Sequence, residues 1–277
     1  MRERQCHGKM NQKNMQPLFV DTHAHLCDHA FDQDRPEVIL RAWESGVAAI
    51  VIVGETLEDA RRNLALAGQY PCLKPAAGLY PRYADMEEVE RLIGFIRSQP
   101  GSFYAIGEVG LDFWLAKEEP AREVQRQVFR RFIELAGELA LPLNVHSRSA
   151  GRQAVALLLE ANARRVQMHA FDGKFSAALP AVEAGYFFSV PPSIVRSPQK
   201  QKLVRHLPLS CLLVESDSPV LGPDPAQRNE PANVLTAVQA IAELKDISCE
   251  EVEEMVRENT RRLYGDLGTT AESDKAL

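Results

Sequence analysis

Short apolar runs rich in Val, Ile, Leu and Phe recur along the chain, and each is followed by a longer segment whose apolar positions repeat with helical period. The runs predict strands over residues 18–25, 48–54, 73–79, 104–110, 142–146, 166–170, 186–190 and 211–217. Helices are predicted between them, for example over 36–45, 87–98, 122–140 and 177–184. A last pair, over 234–244 and 249–264, follows the eighth strand. Near-continuously apolar strands that alternate with helices belong to parallel sheets covered by those helices. Eight such units in one chain favour closure into a single (β/α)8 TIM barrel over an open doubly wound sheet. A dinucleotide-binding fold would place a GxGxxG turn after the first strand, where this chain reads His23-Ala24-His25-Leu26.

A length of 277 residues with 45% hydrophobic content suits one barrel better than two small domains. The expected domain is 18–265, between polar, flexible tails at 1–17 and 266–277. The chain shows neither a secretory h-region nor an apolar stretch of the roughly 18 residues that span a bilayer, so no membrane association is expected. Five scattered cysteines (Cys6, Cys27, Cys72, Cys211 and Cys249) form no CxxC pair. That argues against a disulfide framework or a cysteine zinc site, and for a cytoplasmic location. The formal net charge is −6, whereas a protein gripping a long stretch of duplex DNA is normally basic. A nucleic-acid substrate would therefore be held locally, at one strand end, with bound metal ions supplying positive charge. No obligate protein partner is inferred.

Barrel strands stay apolar until their C-terminal ends, where functional side chains enter the βα loops. Metal-ligand residue types stand at that end in strand after strand. The first ends in Asp21-Thr22-His23-Ala24-His25, the fourth in Gly107-Glu108-Val109-Gly110-Leu111-Asp112, and the fifth in Asn144-Val145-His146-Ser147-Arg148. The sixth ends in Met168-His169-Ala170, and the eighth in Glu215-Ser216-Asp217-Ser218-Pro219. Residues i and i+2 of a strand share a side, so His23 and His25 can hold one ion together. Glu108 has two oxygens and can bridge two ions about 3.5–4 Å apart, His146 and His169 complete the second site, and Asp217 binds the first ion and accepts a proton from water. Each motif has a plainer reading alone, the HxH as two satisfied histidines and the Glu as a helix cap. Their joint placement is what points to metal. His7, His29 and His206 fall in tail, loop and helix, where a solvated histidine is the natural reading.

These segments, in order from about 18 to 264, resemble the signature segments of TatD-type deoxyribonucleases. Stretches 144–152, 190–204 and 228–231 resemble the animal subgroup called TatD domain-containing protein 3. The resemblance implies a TIM barrel of the metallo-dependent hydrolase type, two divalent ions (Zn, Mn, Mg, Fe or Ni) and DNA as substrate, often cleaved 3′ to 5′ on single strands. It implies metal ligation by His23, His25, Glu108, His146, His169 and Asp217, and it places Glu215 among the pocket's acidic residues, on a metal or a bound water. The family's GxHP segment reads Gly78-Leu79-Tyr80-Pro81 here, so Tyr80 replaces a histidine; a phenol can hydrogen-bond a phosphate oxygen but does not carry positive charge near neutral pH.

The expected chemistry is phosphodiester hydrolysis with Asp217 as general base and Glu108 and Glu215 beside it. Arg148 has two readings, a bidentate phosphate contact or a cap on the next helix. Asp112 is expected to orient a loop or a histidine nitrogen. Arg196, Lys200 and Lys202 form either a solvated helix face or a strand-tracking patch, and Phe113 and Trp114 either pack or stack on a base. The alternative function is hydrolysis of an amide, lactone or ester in a small metabolite, which the acidic charge and Tyr80 leave open.

Overall fold

The computed structural model describes residues 19–267. In it each apolar run forms a strand whose following segment folds back as a helix. The order is β1 (Phe19–Ala24), α1 (Arg35–Glu44), β2 (Val47–Ile52), α2 (Leu57–Gln69), β3 (Leu73–Ala77), α3 (Met86–Arg97), β4 (Ala105–Gly110) and α4 (Glu119–Leu139). It continues through β5 (Leu143–His146), α5 (Gly151–Glu160), β6 (Val166–Met168), α6 (Phe175–Glu183), β7 (Phe187–Val190), α7 (Pro198–His206), β8 (Leu212–Val214), α8 (Val234–Lys245) and α9 (Cys249–Tyr264). The strands pair in parallel, in sequence order from β1 to β8. Past the end of β8, Asp217 N donates to His23 O and His25 N to Ser218 O, both at 2.8 Å, and draw the last strand against the first. The buried Asp21 carboxylate reinforces this join by accepting from Ser216 N and His23 N. The result is the TIM barrel.

Local sequence sets where helices begin. Thr56, Asp85 and Ser197 accept backbone N–H groups of the first turns of α2, α3 and α7, and Ser248 with Glu251 forms a capping box on α9. Five strands (β1, β2, β3, β6 and β8) end earlier than the apolar runs suggested, two of them at a turn of the backbone. β6 stops at Met168 and β8 at Val214, because Ala170 (φ 40°) and Asp217 (φ 55°) turn the backbone out of the extended region.

The main core lies between sheet and helices, where Phe129, Phe132, Leu92, Ile93 and Ile241 are buried. A second cluster fills the barrel interior with small residues such as Val51, Ala76 and Ala105, joined by Leu263, Tyr264 and Leu267 from the end of α9. Arg165, just before β6, donates to Leu263 O, so the end of α9 sits beneath the barrel, opposite the mouth where the strands end. Leu267, which the sequence places in the C-terminal tail, is thus packed. Asp266 is also described, whereas residues 1–17 and 268–277 of the predicted tails lie outside the described residues. Among these, no helix is long and apolar enough to cross a membrane.

Candidate metal centre

Four side-chain atoms converge at the C-terminal mouth of the barrel. His23 Nε2 and His25 Nε2 lie 3.1 Å apart. Glu108 Oε2 is 3.8 Å from the first and 3.4 Å from the second, and Asp217 Oδ1 is 3.5 and 3.6 Å from them. A tetrahedron of ligands at about 2.1 Å from a metal has edges of about 3.4 Å, so the two histidines are spaced to share an ion with Asp217 on one side and with Glu108 on the other. Gly107 makes the approach of Glu108 possible: a Cβ there would come within 2.6 Å of Asn144 Cβ.

Glu108 presents its other oxygen to the far side, where Oε1 sits 2.6 Å from His146 Nδ1. That nitrogen is buried and has no partner in hydrogen-bonding geometry. A buried imidazole nitrogen this close to a carboxylate, yet out of hydrogen-bonding geometry with it, fits a cation shared between the two. His169 stacks on His23 at 3.7 Å and brings Nε2 to 3.6 Å from Asp217 Oδ2. Glu108 therefore stands between a His23–His25–Asp217 group and a His146–His169 group, the arrangement of a bridging ligand.

Three of the four histidines, His23, His146 and His169, are aimed by a partner on the other nitrogen. His23 Nδ1 meets Asn144 Oδ1 at 2.8 Å; Asn144 Nδ2 donates in turn to Tyr264 Oη, which donates to Gln167 Oε1. The packed floor of the barrel thereby orients a ligand at its mouth. His146 Nε2 lies 3.1 Å from Asp112 Oδ2, which also accepts from the Tyr80 hydroxyl at 3.0 Å. His169 Nδ1 lies 2.8 Å from Glu215 Oε2, whose other oxygen accepts from Ala170 N. Glu215 is fully buried behind His169 rather than facing the cleft. The resemblance placed Glu215 on a metal or a bound water, but β8 ends at Val214 and Asp217 turns at φ 55°, and Glu215 meets His169 instead.

Burial opposes charge on His146, yet Glu108 and Asp112 on its two sides together push its pKa up to about 9. His25 is likewise lifted well above the usual histidine range against burial by Asp217 and Glu108. His23 is lowered to about 4 by burial and by His169. Without metal, the cage thus holds protons on two of the nitrogens a metal would need. Protons and ions compete for the same lone pairs, so lowering pH must weaken loading. Between pH 6 and 8 metal affinity should rise at least about tenfold per unit, with proton release on binding. Calorimetric titration in buffers of different ionisation heat checks this, and affinity independent of pH would contradict it.

The cage opens into a cleft of about 430 Å3 lined by Glu55, Tyr80, Ser147, Arg148, Lys200 and Val220 as well as His25, Glu108, His146, His169 and Asp217. Arg148 lies with its guanidinium 3.9 Å above the ring of the exposed Trp114. It reaches the cleft wall instead of capping α5. Lys200 enters from α7 and donates to Ala170 O at 2.7 Å, whereas Arg196 is tied to Gly222 O and Lys202 does not line the cleft. Phe113 is buried under Arg122. His29 pairs on the surface with Asp32, and His206 is exposed on α7; His7 lies outside the described residues. Cys27 is buried, with its thiol pushed up to about 12 by burial, and does not reach the cleft. Glu55 and Lys200 were not assigned to the site from the sequence.

The sequence profile of the TatD related DNase family matches residues 20–265. The chain belongs to that family. This TatD-family protein is 45% identical over 258 residues to the putative deoxyribonuclease TATDN3 of Mus musculus, covering 89% of this chain and 88% of that one. It is 44% identical over 258 residues to deoxyribonuclease TATDN3 of Homo sapiens, covering 89% and 94%. Both carry the name of the animal subgroup that the sequence motifs resemble. The crystal structure of YjjV, a TatD homologue from Escherichia coli K12, superposes with a TM-score of 0.84 at 28% identity, covering 91% of this chain and 100% of that one. As a TatD-family member the protein is a metal-dependent hydrolase, and its histidine–carboxylate cluster is suited to hold divalent ions.

Proposed function

We propose that this protein hydrolyses phosphodiester bonds in DNA, removing nucleotides from the 3′ end of single strands in a reducing, cytoplasmic setting. The observation that carries the reading is the bridged cage itself, open to a cleft with a cationic wall. A pair of divalent ions there supplies positive charge at the scissile phosphate and acidifies water. His23, His25 and Asp217 hold one ion, His146 and His169 the other, and Glu108 joins them. Asp217 Oδ2, turned away from the His23–His25 pair, is placed to take the proton of the attacking water. Glu215 acts through His169, as Asp112 and Tyr80 act through His146, by fixing the imidazole's direction.

Arg148 and Lys200 neutralise phosphate oxygens from the opposite wall, and Trp114 offers a ring on which a base can stack. The cleft falls in the size class of a site for one small ligand, roughly 300–1,000 Å3, which suits a terminal nucleotide better than a duplex footprint. The relatives named deoxyribonucleases and the acidic net charge of −6 fit the same local grip. Cys27, Cys72 and Cys211 are thiols outside any disulfide, in keeping with a reducing compartment.

The test is incubation of metal-stripped protein with 5′-labelled single-stranded DNA, adding Mg, Mn or Zn in turn, beside a His146→Ala variant. A metal-dependent ladder shortening from the 3′ end, lost in the variant, is expected. No cleavage by protein shown to carry metal would refute the DNA reading and direct the search to small-molecule esters and amides.

A further inference from the structure

Glu55 follows β2 and belongs to none of the motifs that mark the metal centre. Its backbone is pinned from both sides: its N–H donates to Asp59 Oδ2 at 3.1 Å, and its carbonyl accepts from Tyr80 N at 3.0 Å. The half-buried side chain lines the cleft, as His25 and Tyr80 do. One ligand atom from each of His25, Glu55 and Glu108 lies within 4.8 Å of the other two. Among the described residues the Glu55 carboxylate accepts no hydrogen bond and pairs with no lysine or arginine. A carboxylate crowded against a second, buried carboxylate with no lysine or arginine beside it is costly, and a metal cation between them removes the cost.

The identity of that cation follows from the chemistry of His25. An imidazole nitrogen has a single lone pair, and His25 Nε2 already faces the cage made with His23, Glu108 and Asp217. Glu55 therefore joins the ion that His25 binds and founds no third centre. Opposite ligands at about 2.2 Å from an ion span about 4.4 Å, and Glu55 meets that spacing with His25 and Glu108 to within a few tenths of an ångström, so a turn of its side chain brings it to the ion they face. We infer that Glu55 is a fifth protein donor to the first ion, approaching it from the cleft side.

Four donors complete the tetrahedral shell zinc favours; a fifth, anionic oxygen suits ions that prefer about six ligands and oxygen donors, such as Mn or Mg. Glu55 thus biases the centre toward those ions and leaves one position toward the cleft. The inference rests on the metal centre of the proposed function and not on DNA being the substrate.

The experiment measures Mn2+ and Zn2+ binding to the metal-stripped full chain and to its Glu55→Gln and Glu55→Ala variants, with a thermal melt to show that each folds. In both variants Mn2+ affinity is expected to fall roughly ten- to a hundredfold while Zn2+ affinity changes less than about threefold. Unchanged Mn2+ affinity, or an equal loss of both ions, overturns the assignment. If wild-type protein cleaves no DNA yet the variants lose Mn2+ selectively, Glu55 keeps its role and only the substrate is reassigned. If DNA is cleaved but Mn2+ binding ignores Glu55, the inference falls alone.

Discussion

Replacing Glu108 with glutamine is expected to abolish occupancy of the metal pair and lower kcat/KM roughly a thousandfold or more. That exceeds the 10–100-fold typical of losing a group that merely orients a ligand. Glu108 contributes to both halves of the centre, Oε2 toward His25 and Oε1 toward His146. The amide replaces one acceptor oxygen with a donor and removes the charge that, with its neighbours, lifts His25 and His146 above the ordinary histidine range. Glu215→Gln offers the internal contrast. Among the described residues Glu215 hydrogen-bonds with His169, Ala170 N and Gln167, so metal affinity should fall within the 10–100-fold range while occupancy is recovered at high metal. Metal stoichiometry by elemental analysis, measured beside kcat/KM, separates the two. Equal behaviour of the two variants would place Glu215 in the cage or remove Glu108 from it.

Gly110→Ala should be the most destabilising single methyl addition near the site. Gly110 has φ of 144°, and a Cβ there would lie 2.0 Å from His146 O. Gly110 is the register partner of His146 on β5, so the clash must spread β4 from β5 at the position that sets Glu108 against His146. Overpacking and an unfavourable φ cost about 1–3 kcal/mol each, giving a loss of about 2–6 kcal/mol together with weakened metal loading. Gly137→Ala in α4 is the control. Nothing lies within 4 Å of a Cβ there, and alanine should stabilise by about 0.5–1 kcal/mol. Denaturant midpoints read both. A Gly110→Ala midpoint equal to wild type would mean that β4 and β5 have slack the packing does not show.

The barrel was legible because its strands are buried on both faces, which makes them continuous apolar runs that end in abrupt polar residues. The six candidate ligands stand out for the same reason: His23, Glu108 and His146 interrupt or end apolar strands, and His25, His169 and Asp217 follow the ends of β1, β6 and β8. What the sequence hid was of two kinds. Asn144 and Tyr264 are 120 residues apart, and no local pattern signals that the foot of α9 enters the barrel to steady His23. Glu55 sits in a Gly-Glu-Thr-Leu-Glu-Asp stretch where acidic residues are ordinary at a helix start, so its turn into the cleft leaves no trace in composition. Lys200 is similar, one cation among several on α7 until the packing singles it out. Glu215 lies one residue past the end of β8, where the alternation of a strand no longer tells which way a side chain points, so its place behind His169 leaves no mark in the sequence.

The measurement that bears most directly on the metal-centre account is anomalous diffraction from crystals of the full chain grown with Mn2+ or Zn2+, with data collected at the metal's absorption edge. Two peaks roughly 3.5–4 Å apart are predicted, one beside His23, His25 and Asp217 and one beside His146 and His169, with Glu108 between them. Metal-replete crystals that show no peak within this cluster, or a single peak remote from Glu108, would contradict it.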